Sequence, residues 1–298
     1  MADSLLEVEG RRVHVAVDGA GPAVVVLESG LGGGVAEWEI VARQLADVAV
    51  VVRRDRPGLG ESEPADEPRT PRDAALGLRR VLDTLGLEPP YVLVGHSLGG
   101  LHVRAFAALF PTLVRGVVLV DPSHEDADDE IPHLRAASRA QAWLARTMVR
   151  MGRPGRSAFG AIYRASLRSE CAPDLPGEAA ALVERSLAAS RKEPAQRAIA
   201  AEMAGLGSSF AQARELRATA GFPAVPLRVI SQGRVRRSRL MAGMLSHWHR
   251  LHADLAGLSP RGEHWVAERS GHLVPVEQPE LVVAAVRDVL ATSTTTTG

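Results

Sequence analysis

Tyr91-Val92-Leu93-Val94-Gly95-His96-Ser97-Leu98-Gly99-Gly100 is the stretch that decides the fold. Four apolar residues read as a buried strand, Leu101 to Leu109 reads as a helix, and a serine stands between them with glycine two residues to either side. A strand entering so sharp a turn forces its central residue into a strained backbone conformation. Only small residues such as Gly95 and Gly99 let strand and helix come close enough to hold it. The hydroxyl of Ser97 is therefore expected to stand exposed at the carboxyl end of a sheet. G-x-S-x-G recurs by chance in glycine-rich chains, and it is the strand before and the helix after that give this one weight.

Working outward, Val13 to Val17 and Ala23 to Leu27 read as two strands joined by Asp18-Gly19-Ala20-Gly21-Pro22. Further strands are expected at Val48 to Val52, Val117 to Val120 (ending at Asp121), Leu227 to Ile230 and His264 to Ala267. They are continuously apolar and alternate with helical segments, as strands buried on both faces of a parallel sheet do. The fold class is thus α/β, a mostly parallel central sheet with helices on both faces. Between Asp121 and Leu227 lie about a hundred residues without a strand signal, too many for a plain crossover, and an inserted all-helical cap is the natural reading. Leu134, Ala137, Gln141, Leu144, Met148 and Met151 recur at steps of three and four, as do Met203, Leu206, Phe210, Ala213 and Leu216, so each set predicts one apolar helix face. Gly152-Arg153-Pro154-Gly155 and Ala172 to Gly177 carry the breakers between helices. Arg135, Arg139, Arg146 and Arg150 share roughly one helix face, which is expected to meet water. The expected organisation is a core of residues 1–122 and 226–291, a cap of 123–225, and a disordered tail of 292–298.

Composition bounds the rest. The 298 residues carry 35 basic and 35 acidic side chains, so no global field favours nucleic acid. Cys171 is the only cysteine, which excludes an intramolecular disulfide. No apolar stretch reaches the roughly 18 residues of a spanning helix, and Met1-Ala2-Asp3-Ser4 does not open a signal sequence, so a cytoplasmic location is the default expectation. His247, His249 and His252 cluster around Trp248 without a further ligand at a metal-like interval, and no metal or cofactor is expected. The glycines at 30 and 32–34 lack the order of a phosphate loop.

With its elbow, the chain resembles the α/β-hydrolase family over nearly its whole length. Glu28-Ser29-Gly30-Leu31-Gly32-Gly33-Gly34 stands where that family commonly has His-Gly-x followed by small residues, with Ser29 in place of the histidine. Asp55-Arg56-Pro57-Gly58-Leu59-Gly60-Glu61-Ser62 looks like its D-x-x-G-x-G-x-S turn, and Ser270-Gly271-His272 follows the last strand. The resemblance implies Ser97 as nucleophile, His272 as base, and an oxyanion hole formed by the backbone N–H groups of Leu98 and Leu31, with Gly30, Gly95, His96 and Gly99 around them. The commonest family pattern takes its acid from the turn after the penultimate strand, here Ser231 to Ser238, which holds no carboxylate. A minority, including many haloalkane dehalogenases, takes it from the end of the strand after the nucleophile helix, and Asp121 occupies that point. Glu125, Asp126, Asp128 and Asp254 stand as alternatives, and an Asp-Pro at a strand end can also simply cap a turn.

The implied function is hydrolysis of a carboxylic ester or thioester through an acyl-enzyme on Ser97, with a small-molecule substrate that has an apolar part. Carbon–carbon bond hydrolases, amidases and cofactor-free oxygenases occur on the same framework, as do ligand receptors without turnover. Epoxide hydrolases and dehalogenases of this fold use a carboxylate nucleophile, against which Ser97 argues. Trp143, Met148, Phe159, Tyr163, Met203 and Phe210 suggest an apolar pocket under the cap, although side chains at helical spacing also build a cap's own core.

Overall fold

The computed structural model describes residues 2–65, 69–127, 132–171, 175, 177–234 and 239–293. Eight strands form one sheet: β1 (Ala2–Val8), β2 (Arg11–Asp18), β3 (Ala23–Glu28), β4 (Ala49–Arg54), β5 (Tyr91–His96), β6 (Val114–Val120), β7 (Leu227–Gln232) and β8 (Gly262–Ala267). Their order across the sheet is β1-β2-β4-β3-β5-β6-β7-β8, antiparallel at β1/β2 and β2/β4 and parallel from β4 onward. The turn after Asp18 does join β2 to β3, yet the two are not neighbours, because β4 lies between them and pairs with both. β1 was not legible, since Ala2 to Val8 alternates charge and apolarity only weakly and lies on the sheet edge.

The helices that flank the sheet are α1 (Glu39–Leu45), α2 (Pro71–Thr84) and α3 (Leu98–Leu109). Period-two alternation divides each central strand between two cores. Tyr91 and Leu93 of β5, with Val117 and Leu119 of β6, face Leu78, Val81 and Leu82 of α2 and Val103 and Phe106 of α3. Val92, Val94, Val118 and Val120 face the other way, onto Val41 and Leu45 of α1 and a C-terminal helix bearing Val282, Val286 and Val289. Both faces are dry, which explains why the strands read as unbroken apolar runs.

Between β6 and β7 the described residues form α4 (Pro132–Arg150), α5 (Arg153–Glu170), α6 (Gly177–Ala189) and α7 (Glu193–Thr219), with no strand among them. The chain closes with α8 (Arg239–Ala256), α9 (Val274–Glu277) and α10 (Pro279–Ser293). Two expectations are corrected here. The buried side of α4 is carried by Ala145, with Met148 and Val149 partly buried, whereas Leu144 and, just past the helix end, Met151 are exposed, so at the described positions the apolar stripe is rotated from the expected set; the side chains of Leu134 and Ala137 lie outside those described. Thr292 and Ser293 belong to α10, where Thr292 Oγ1 donates to the Asp288 carbonyl at 2.8 Å, and the rest of the expected tail lies outside the described residues. On α7, Ala213 and Leu216 are buried and Leu206 and Phe210 pack with Leu98 and Leu101 of α3, as the spacing predicts.

The D-x-x-G-x-G-x-S stretch is a structural staple. Asp55 is buried, and its carboxylate accepts from the Val35 N–H (2.9 Å), the Glu61 N–H (3.1 Å) and the His14 ring (2.6 Å). Ser62 Oγ donates to the Asp55 carbonyl (2.7 Å) and accepts from the His14 N–H (2.8 Å). The elbow is equally tight. A Cβ on Gly99 would run into the Glu28 carbonyl oxygen of β3, and one on Gly95 would stand 2.5 Å from the Gly99 carbonyl oxygen. Gly99→Ala is therefore expected to cost at least about 3 kcal/mol through backbone displacement at the centre of the sheet, read as a lower urea midpoint.

Candidate active site

Ser97 sits at φ 50° and ψ −118° between β5 and α3, a left-handed conformation that costs a non-glycine residue about 1–3 kcal/mol. The neighbouring strand holds it there. The Ser97 N–H donates to the Val120 carbonyl (3.1 Å) and the Ser97 carbonyl accepts from the Ser123 N–H (3.0 Å). Asp121 follows β6 directly, also with positive φ (39°), and its N–H reaches the Ile230 carbonyl of β7 at 2.6 Å. Strained backbone thus occurs at two adjacent strand ends.

His272 lies in the loop between β8 and α9. Its Nδ1 is 2.6 Å from Asp121 Oδ2, and the other Asp121 oxygen accepts from the Gln232 N–H at 2.9 Å. Gln232 belongs to the turn expected to hold no carboxylate, and that turn contributes a backbone donor to Asp121; residues 235–238 of it lie outside the described residues. Burial disfavours the charge on Asp121, but the His272 hydrogen bond and nearby imidazoles hold its carboxyl below the usual range. Burial likewise works against a charged His272, yet Asp121 overrides it and raises the imidazole to about 9. Nε2 of His272 and the Ser97 hydroxyl form no hydrogen bond among the described residues, to each other or to a third group. Both residues line one cavity of about 290 Å³, bounded also by Gly30 to Gly33, Tyr163, Leu182, Met203 and Leu206.

The loop after β3 is unusually well fastened. The Gly33 N–H donates to the Gly30 carbonyl (3.1 Å), the Gly32 N–H to Glu202 Oε2 (2.8 Å), and the Gly30 N–H makes a longer bond to Glu37 Oε1 (3.4 Å). The Leu31 N–H has no such partner among the described residues. The Leu31 carbonyl accepts from the Tyr163 hydroxyl of α5 at 3.0 Å. Beneath the loop lies Arg56, whose guanidinium donates to the Ser29 and Gly30 carbonyls (2.8 and 2.6 Å), to Glu28 and to Glu202 of α7. Burial opposes ionisation of Glu202, but Arg56 and the Gly32 N–H keep its carboxyl below the usual range. His96 bridges Glu37 Oε1 (2.7 Å) and the His272 carbonyl (2.8 Å), tying the elbow to the histidine loop.

The alternative acids lie elsewhere. Glu125 pairs bidentately with Arg104 (2.6 and 2.7 Å), Asp126 with Arg214 (2.8 Å), and Asp254 with Arg217 (2.6 Å); Asp128 lies outside the described residues. Of the cap side chains expected at a pocket, Tyr163 and Met203 line the cavity, Phe159, Met148 and Phe210 pack within the protein, and Trp143 is 66% exposed. His249 and His252 bond the Gln232 and Pro122 carbonyls, and no group of three metal-ligating side chains occurs among the described residues. Glu37, Arg56 and Glu202 were missed. For Glu202 a signal existed: it interrupts the stripe Ile199, Met203, Leu206 with a carboxylate, and such a group on an apolar face needs a buried partner.

The profile of the α/β-hydrolase fold matches residues 23–168. The chain belongs to the α/β-hydrolase superfamily. An AB hydrolase superfamily protein of Gibberella zeae is 27% identical over 288 residues, covering 90% of this chain and 86% of that one. The dihydrolipoyllysine-residue acetyltransferase component of the acetoin cleaving system of Cupriavidus necator is 37% identical over 116 residues, which span 39% of this chain and only 31% of that protein. The solved structure of the epoxide hydrolase CorEH without ligand superposes with a TM-score of 0.74 over 98% of both chains at 19% identity, a likeness of fold.

Proposed function

We propose that this superfamily member is a serine hydrolase of carboxylic esters or thioesters. Ser97 attacks the acyl carbon, His272 accepts its proton and returns it to the leaving group, and Asp121 orients the imidazole. The N–H groups of Leu31 and Leu98 receive the oxyanion, and water clears the acyl-enzyme. The observation that carries this reading is the 2.6 Å contact of His272 Nδ1 with Asp121, which leaves Nε2 as the base in a cavity shared with Ser97. Catalytic hydrogen bonds are often long in an empty site and tighten around substrate, so the missing Ser97–His272 bond is compatible with the mechanism. The CorEH likeness does not imply epoxide chemistry here, because position 97 is a hydroxyl and not a carboxylate. Residues 123–225 act as the cap, and Leu182, Met203 and Leu206 at the cavity fit an apolar acyl or alcohol group.

The test is a panel of aryl and alkyl esters of increasing acyl length, run beside labelling by a fluorophosphonate. Labelling at Ser97 with turnover of at least one ester is expected. Stoichiometric binding of an ester without turnover or labelling would make the protein a receptor instead.

The fastening of the 30–34 loop yields a further expectation. Glu202→Ala leaves Arg56 buried with only Glu28 opposite it, which should cost about 3–5 kcal/mol of stability. Glu202→Gln, which keeps an acceptor for the Gly32 N–H, should fold better yet lower kcat more than it raises KM, because a looser Leu31 donor matters most at the oxyanion. An unchanged kcat in Glu202→Gln would show that the loop holds its geometry without the cap carboxylate.

A further inference from the structure

Charge on this neutral chain is sharply segregated. Residues 132–169, which make up α4 and nearly all of α5, contain eight arginines and no aspartate or glutamate. Since the whole chain balances 35 basic against 35 acidic side chains, the remainder carries eight more acids than bases. A high arginine content alone would not remove every acid from two consecutive helices.

These arginines are used in two ways. Arg156 and Arg168 turn to Glu193 and Glu184 on the neighbouring helices at 2.9 and 3.0 Å, and Arg146 donates to the Ala204 carbonyl of α7 at 3.0 Å. Arg139, Arg150 and Arg153 are exposed and form no hydrogen bond or ion pair among the described residues. At 100° per residue, Arg139, Trp143, Arg146 and Arg150 fall within an arc of about 60° on α4. A solvated face would account for the arginines but not for Trp143, which stands among them 66% exposed. Round the same helix, Leu144 and Met151 are 44% and 65% exposed, and Ile162 of α5 is 56% exposed.

We infer that the α4–α5 face docks on an anionic lipid surface. Unopposed arginines meet lipid phosphates, while an exposed tryptophan with aliphatic neighbours suits the boundary between headgroups and acyl chains. Nucleic acid or an acidic protein would satisfy the arginines, but it would leave Leu144 and Met151 without an apolar partner. Contact of this kind is peripheral, since no helix among the described residues is long and apolar enough to cross a membrane. The same two helices line the Ser97 cavity through Gln141, Tyr163 and Leu167, so docking would hold the site beside a source of apolar esters. Only this last step rests on the proposed function, and binding can be read without catalysis.

The experiment is flotation of the full chain, both wild type and Ser97→Ala, with vesicles of phosphatidylcholine alone or mixed with phosphatidylglycerol. Both proteins should float with the anionic vesicles at low salt and far less at high salt, and neither should float with phosphatidylcholine alone. Arg139→Gln/Arg150→Gln/Arg153→Gln should weaken partitioning by roughly 100-fold, about fivefold per charge, with fluorophosphonate labelling unchanged. Brominated acyl chains should quench tryptophan fluorescence in the wild type and much less in Trp143→Phe, which places the ring at the acyl boundary. Equal flotation with both vesicle types, none with either, or anionic binding that the triple variant retains would overturn the inference. Retention on a heparin column without vesicle binding would do so as well, assigning the face to an acidic macromolecule. Failure of the ester panel with vesicle binding intact would count against the proposed reaction and not against the docking.

Discussion

Purified Ser97→Ala is expected to lose ester turnover by a factor of about 10³ or more and to melt close to the wild type. The hydroxyl has no hydrogen bond among the described residues, so its removal breaks no structural contact, and alanine is smaller than serine at a point where glycines already crowd the turn. The strained φ of 50° is set by the surrounding hydrogen bonds of β5 and β6 and persists without the hydroxyl. His272→Ala should lose a similar factor. The double variant should be little worse than either single one, because a nucleophile and its base act as one unit whose loss is complete when either part is gone. Multiplicative losses would mean that the two side chains serve separate steps. Retention of most activity in Ser97→Ala, assayed free of host esterases, would remove the serine mechanism altogether.

What could be read from the chain divides along physical lines. The central strands were legible because they are buried on both faces, and their apolar runs have no other use; β1, on the sheet edge and half wet, carries no such run. Ser97 was legible because its turn needs Gly95 and Gly99 on either side, a local constraint written in local sequence. The positions of Asp121 and His272 rest on order along the chain, and their contact joins residues 151 apart through the sheet, which no periodicity reports. The Arg56–Glu202 pair spans 146 residues and links the stretch after β4 to α7, and only the oddity of a carboxylate in the α7 stripe hinted at it. The α4 face was misread for a related reason. Leu144 and Met151 keep helical spacing with the buried positions, yet the side that is buried depends on where α7 and α5 lie, and sequence spacing does not carry that information.

Asp121→Asn should be the most informative single change, with a loss on the order of 10⁴ in kcat/KM. An amide at 2.6 Å from Nδ1 can still hydrogen-bond the ring, but its NH₂ can hold the imidazole in the tautomer that leaves Nε2 protonated and unable to take the serine proton. The pH profile supplies the second readout. In the wild type the base must be neutral, and with the His272 imidazole raised to about 9, kcat/KM of the free protein should climb with pH through that region. Burial alone would lower the imidazole, and the carboxylate opposes it. Removing the carboxylate charge should therefore shift the residual activity's rising limb to lower pH, below the wild-type value. The same sign governs stability. A group whose pKa rises from 6.5 to about 9 on folding contributes stability that is full below the first value and is lost as pH passes the second. Asp121→Asn should accordingly lose more stability at pH 6 than at pH 10. Glu125→Gln, Asp126→Asn and Asp254→Asn break arginine pairs remote from His272, so they should leave the rising limb where it is, whatever they do to melting. If one of these moved the limb while Asp121→Asn left it in place, the acid would be misassigned and the His272–Asp121 contact would be structural.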